Sequence, residues 1–193
     1  MLQLWRENYY KDEKIMALPK LDTPTYQLEL PSNQQVVKYR PFLVREQKIL
    51  MMAQEAENKE DTYNMLSDIV GGCTFNSIDI KTMPIFDFEY LFLKIRCKSV
   101  GETVELSVLC PDDEKTRVPV TVNLDIVDVQ VEDDHNNVIG VNDSIKIIMR
   151  HPTVGDIKSV DEAETLNNIM KLLKVCIHEI HDGDIIHSMI DVT

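Results

Sequence analysis

The chain has 193 residues, 44% of them apolar and 27% charged, and 33 acidic against 20 basic side chains give a formal net charge of −13. This composition suits a globular protein and excludes collagen-like, low-complexity and disordered classes. The acidic balance disfavours nucleic-acid binding, because a negative surface repels phosphate, and no apolar run approaches the ~20 residues that a membrane-spanning helix needs. The N-terminus carries Glu7, Asp12 and Glu13 with no apolar stretch, so it does not read as a secretory signal and the chain is expected in the cytoplasm where it is made.

Residues 1–15 read as an N-terminal extension or arm, since Met16 opens MALPKLDTPTYQLELPS in the manner of a natural start. From Tyr26 the apolar residues alternate (Tyr26, Leu28, Leu30), Pro31-Ser32-Asn33 supplies a turn, and Val36 to Tyr39 forms a second strand, which predicts a hairpin. Pro41 ends the extended run, and LVREQKILMMAQEAEN is built of strong helix formers with Ile49, Leu50, Met52 and Ala53 on one face. A second helix is expected from Asp61 to Val70, stopped by Gly71-Gly72. The third helix is the clearest. Pro84 suits its first position, Asp87 and Glu89 complement its dipole, and Phe88, Leu91, Phe92 and Ile95 form a face expected to pack on a sheet.

Gly101 ends that helix and ETVELSVLC alternates Val104, Leu106 and Val108. The charged turn PDDEKTR leads to VPVTVNLDIVDVQV, in which Val118 and Val120 are placed to pair back across the turn, and SIKIIMRHP is a further strand. Thr153 with Asp156 resembles a capping box, and EAETLNNIMKLLKVCIHEI places Leu166, Ile169, Met170, Leu173, Cys176, Ile177 and Ile180 on a helical stripe. Strands grouped apart from helices indicate an α+β fold rather than a doubly wound sheet. The expected plan is one domain over 16–193: a hairpin at 16–40, helices at 41–100, an antiparallel β region at 101–151 and a C-terminal helical segment at 152–193.

Chemistry is sparse. Cys73, Cys97, Cys110 and Cys176 form no CxxC and read as structural thiols. HEIHDGDIIH gathers His178, Glu179, His181, Asp182, Asp184 and His187, with His178 and His181 on one face if the segment is helical. It is not HExxH, and it lacks the four well-placed ligands of a structural zinc, so neither a metal nor any other cofactor is expected. No nucleophile elbow, phosphate loop or dinucleotide fingerprint occurs, and the chain does not read as an enzyme. Nine acids and two bases fall within residues 111–143, which favours a basic protein partner. Tyr39, Arg40 and Phe42 around a rigid Pro41, with Arg45 and Glu46 on the following helix, are candidate partner contacts, because aromatic and Arg residues anchor interfaces; the same residues suit strand-to-helix packing.

MALPKLDTPTYQLELPS, VKYRPFLVREQKILMMAQE and FDFEYLFLKIRCKSVGETVEL, with CIHEIHDGD near the end, resemble the T-even-type phage baseplate hub family over roughly residues 16–187. The resemblance implies an α+β, non-enzymatic structural protein of the virion that builds the hub of a contractile-tail baseplate. Its partners would be other hub and tail proteins, with self-association as a further option, and it would reside in the host cytoplasm during assembly. A transient assembly chaperone of the same family is the second reading, and a metal-dependent enzyme using the C-terminal histidines is the third. Some relatives carry cysteines where this chain has PDDEKTR, so a family zinc site does not carry over. Longer relatives continue into an acidic helical region where this chain ends at IDVT, which favours a component that stays in the particle.

Overall fold

The computed structural model describes residues 22–56, 58–131, 135–159 and 166–188. The expected arm at 1–15, the acids Glu132, Asp133 and Asp134, and the 160–165 approach to the C-terminal helix lie outside these residues. The described elements run β1 (Tyr26–Glu29), β2 (Val36–Tyr39), α1 (Val44–Gln54), α2 (Lys59–Cys73), α3 (Ile85–Val100), β3 (Thr103–Leu109), β4 (Arg117–Asn123), β5 (Val138–Gly140) and β6 (Ile145–Met149). A 3-10 helix (Val154–Ser159), α4 (Leu166–Cys176), β7 (Ile177–Asp182) and β8 (Ile185–Ser188) complete them. Among the described residues all strand pairs are antiparallel, in three sheets: β1-β2, β3-β4 and β5-β6-β7-β8. The fold is α+β.

Apolar periodicity decides what is buried. Leu30, Val37 and Tyr39 from the first hairpin, Ile69, Val70 and Cys73 from α2, and Phe88, Leu91 and Ile95 from α3 form one core with Ile80, Met83 and Val154. The expected α3 face is therefore buried, with Phe92 at its margin, but it packs on α2 and the β1-β2 hairpin; no residue of β3 to β8 belongs to this cluster. Asp87, expected to complement the helix dipole, is also fully buried and accepts hydrogen bonds from the backbone N–H and hydroxyl of Ser32, which ties the hairpin turn to the start of α3.

Two expectations are corrected. Gly71-Gly72 does not stop α2, which runs on to Cys73 and ends where Phe75 and Asn76 take left-handed backbone angles. A Cβ on Gly72 would sit 3.2 Å from Glu46 Oε1, so the glycine serves close packing of α1 on α2 rather than termination. The C-terminal segment is not helical throughout. α4 ends at Cys176, and HEIHD belongs to β7, the strand between β6 and β8. The reason is local: Gly183 at φ +57° begins the two-residue turn to β8, the position that glycine favours in a type II′ hairpin. The Thr153 and Asp156 pairing is present, with the Thr153 N–H and hydroxyl both donating to Asp156 Oδ2 at 2.8 Å, and it opens the 3-10 helix.

Candidate association surfaces

The YRPF segment leaves β2 and turns into α1, and its polar atoms are satisfied within the chain. Arg40 donates from Nη2 to Glu46 Oε1 at 3.0 Å and from Nη1 to the Pro41 carbonyl at 2.9 Å, while its backbone N–H reaches the Cys73 carbonyl at 3.0 Å. Glu46 Oε2 accepts the Leu43 N–H at 2.8 Å and so caps α1. Burial alone would raise the Glu46 carboxyl, but the Arg40 and Leu43 hydrogen bonds outweigh it and hold the group below its ordinary value. Burial pushes the neighbouring Cys73 thiol up to about 11, which makes it a poor nucleophile.

Of the five candidate contact residues, four are thus engaged inside the chain. Tyr39 is buried with its ring tilted against Tyr26, Phe42 meets Phe92 with ring centroids 6.0 Å apart and donates its N–H to Ser99 Oγ, and Arg40 pairs with Glu46. Arg45 faces solvent on α1, a helix that also exposes Val44, Met51 and Met52. The motif therefore fixes the angle at which α1 presents its outer face.

The C-terminal histidines do not gather as a helix would gather them. On β7, His178 and His181 fall on opposite faces of the strand, as residues three apart must. His181 Nε2 lies 2.9 Å from Glu179 Oε2 on its own face. His178 Nε2 reaches the other oxygen of that carboxylate, Glu179 Oε1, at 3.7 Å, and His178 also lines an open cavity of about 520 Å³ with His135 and His151, whose rings stack at 5.8 Å, while Phe86 meets His151 edge-on at 4.9 Å. That grouping spans three distant segments and left no signal in the sequence. Among the described residues, no group of three or more His, Cys, Asp and Glu side chains is placed to hold a metal ion.

Exposed apolar surface lies elsewhere. β3 and β4 place Val104, Leu106, Val108, Val118, Val120 and Val122 on one face, and the four nearer the turn are 40–47% exposed. On α4 three members of the expected apolar stripe, Ile169, Met170 and Leu173, are exposed, while a fourth, Cys176, is buried together with Asn168. Contiguous exposed apolar patches of this kind mark protein association sites. No described helix is long and apolar enough to cross a membrane.

Comparison with known proteins matches the chain to the family described as T4 bacteriophage base plate protein, over residues 23–193. No curated protein and no solved structure matches. The match covers every described strand and helix, from β1 to β8, and the chain belongs to the T4 bacteriophage base plate protein family.

Proposed function

We propose that the chain is a structural subunit of the hub of a contractile-tail baseplate and works by association with other hub and tail proteins, without catalysis. Family membership makes it a phage baseplate protein. The observation that carries the finer reading is the apolar surface left open outside the core, on β3-β4 and on α4. A subunit that met no partner would gain solubility by covering or charging such faces. Arg45 is the direct contact among the five candidate residues; Tyr39, Arg40, Phe42 and Glu46 serve association by holding α1 in position.

The second reading, a transient assembly chaperone, uses the same surfaces and differs in where the chain ends up. Quantitative mass spectrometry of isolated baseplates separates the two. A stoichiometric amount of the chain in the finished particle is expected. Its presence in assembly intermediates with absence from finished particles overturns the structural role in favour of the chaperone.

A further inference from the structure

We infer that the apolar face of the β3-β4 hairpin is the seat of a different baseplate protein, one that offers an apolar segment flanked by Lys and Arg. This rests on the association reading above and names the surface and the partner chemistry. The hairpin stands apart from the core cluster and is a two-stranded sheet, an arrangement only marginally stable in water unless a face is covered. Its base is nevertheless held firmly. Lys94 reaches from α3 to the carbonyls of Asp125 and Val127 at 2.6 and 3.0 Å, and Lys98 bridges Glu102 and Asp125. The face is therefore presented in a fixed orientation.

The edges of this sheet are poor templates for an added strand, which leaves the face as the docking element. Ladder bonds at Cys110 to Thr116 and Leu124 to Glu102 put the intervening Pro119 at a non-hydrogen-bonded position, so the free edge of β4 lacks an N–H there. On β3 the outward Ser107 carbonyl already accepts Arg117 Nη1 at 3.1 Å. Charge then selects the occupant. The rim is acidic at its two ends: Asp112, Asp113 and Glu114 at the turn outnumber Lys115 and Arg117, and Glu102 and Asp125 at the base share Lys98. Asp113 is fixed by the Thr116 hydroxyl and the N–H groups of Thr116 and Lys115, which hold its carboxyl down at about 2. A second copy would bring the same acidic rim and a net −13 charge, so a basic rim on a different chain fits where this chain repels itself.

A photo-crosslinking residue is placed at Val120, on the apolar face, and separately at Thr121, on the polar face, in the full chain supplied during phage growth. Both the assembling extract and isolated baseplates are irradiated, and the joined peptides are sequenced. The expected adduct forms from position 120 and not from 121, on another baseplate protein, at an apolar peptide bordered by Lys or Arg. An adduct with a second copy, an adduct on an acidic or neutral segment, or none in either sample overturns the inference. Leu106→Ser with Val120→Thr should lower incorporation at least tenfold with a near-wild-type melt, and Asp112→Asn with Glu114→Gln should flatten its salt dependence; wild-type incorporation of the first variant also overturns it. If the chain is absent from isolated baseplates, the structural role fails while the adduct in the assembling extract still decides the hairpin surface.

Discussion

The Arg40 and Glu46 pair shows how one buried contact sets a neighbouring sequence requirement. Their side chains are 11% and 6% exposed, so Glu46→Ala strands a guanidinium and should cost ~3–5 kcal/mol in denaturant melts. Gly72→Ala should then behave oppositely in two backgrounds. In the wild type the new Cβ crowds Glu46 Oε1, which two partners pin in place, and the melting temperature should fall. In the Glu46→Ala background the crowding is gone, and the helix-propensity gain of up to ~1 kcal/mol should raise it. The pair also fixes an acid response. Asp156 resembles Glu46: burial would raise it, but hydrogen bonds from Arg150 and Thr153 win and lower it. Carboxyls depressed in the fold contribute stability above their unfolded values near ~4 and lose it as pH falls through the folded ones. Thermal melts from pH 7 down to 2 should therefore show a decline that is shallower in Glu46→Gln; an unchanged slope would remove Glu46 from the acid response.

At the scale of elements, what the chain discloses locally and what it hides differ by contact range. The β1-β2 hairpin and α3 are legible because alternation and helical spacing each bury a face, and Leu91→Ala, at a fully buried position, should cost ~2–5 kcal/mol. The helical reading of 177–180 fails for a physical reason. β7 is an inner strand, half-buried at Ile177 and Ile180 on its two faces, and two isoleucines three apart satisfy either a helix stripe or a two-sided strand. The turn decides, through Gly183. Nothing lies within 4 Å of a Cβ built there, so Gly183→Val tests backbone conformation alone and should cost ~1–2 kcal/mol. Gly140→Ala, equally open and without a positive φ, should stay within about 0.5 kcal/mol. Equal losses at the two glycines would show that the turn does not specify the β7-β8 hairpin. The candidate site was half legible: Arg40, Phe42 and Glu46 stand out in sequence, but the contacts to Cys73, Ser99 and Gly72 that make the motif internal lie 26 to 57 residues away, beyond any local pattern.

For the whole molecule, stability and association occupy different parts of the fold. The buried cluster draws on the first hairpin, α2, α3 and the 3-10 turn, whereas β3-β4 shares no residue with it and exposes its valines. Amides of α3 should exchange only by global unfolding, while the hairpin can open locally from its clamped base. If that opening costs ~3 kcal/mol less than unfolding, β3-β4 amides in the free chain should exchange on the order of 100-fold faster than those of α3. Once the chain is bound in baseplate assemblies, covering the valine face removes the open state, and the same amides should slow by at least about tenfold while α3 is unchanged. Hydrogen exchange read by mass spectrometry over residues 103–123 and 85–100 checks both statements. Hairpin amides as slow as α3 in the free chain would mean that β3-β4 is part of the cooperative core. Hairpin amides that stay fast after assembly would mean that this face remains uncovered and the partner sits elsewhere.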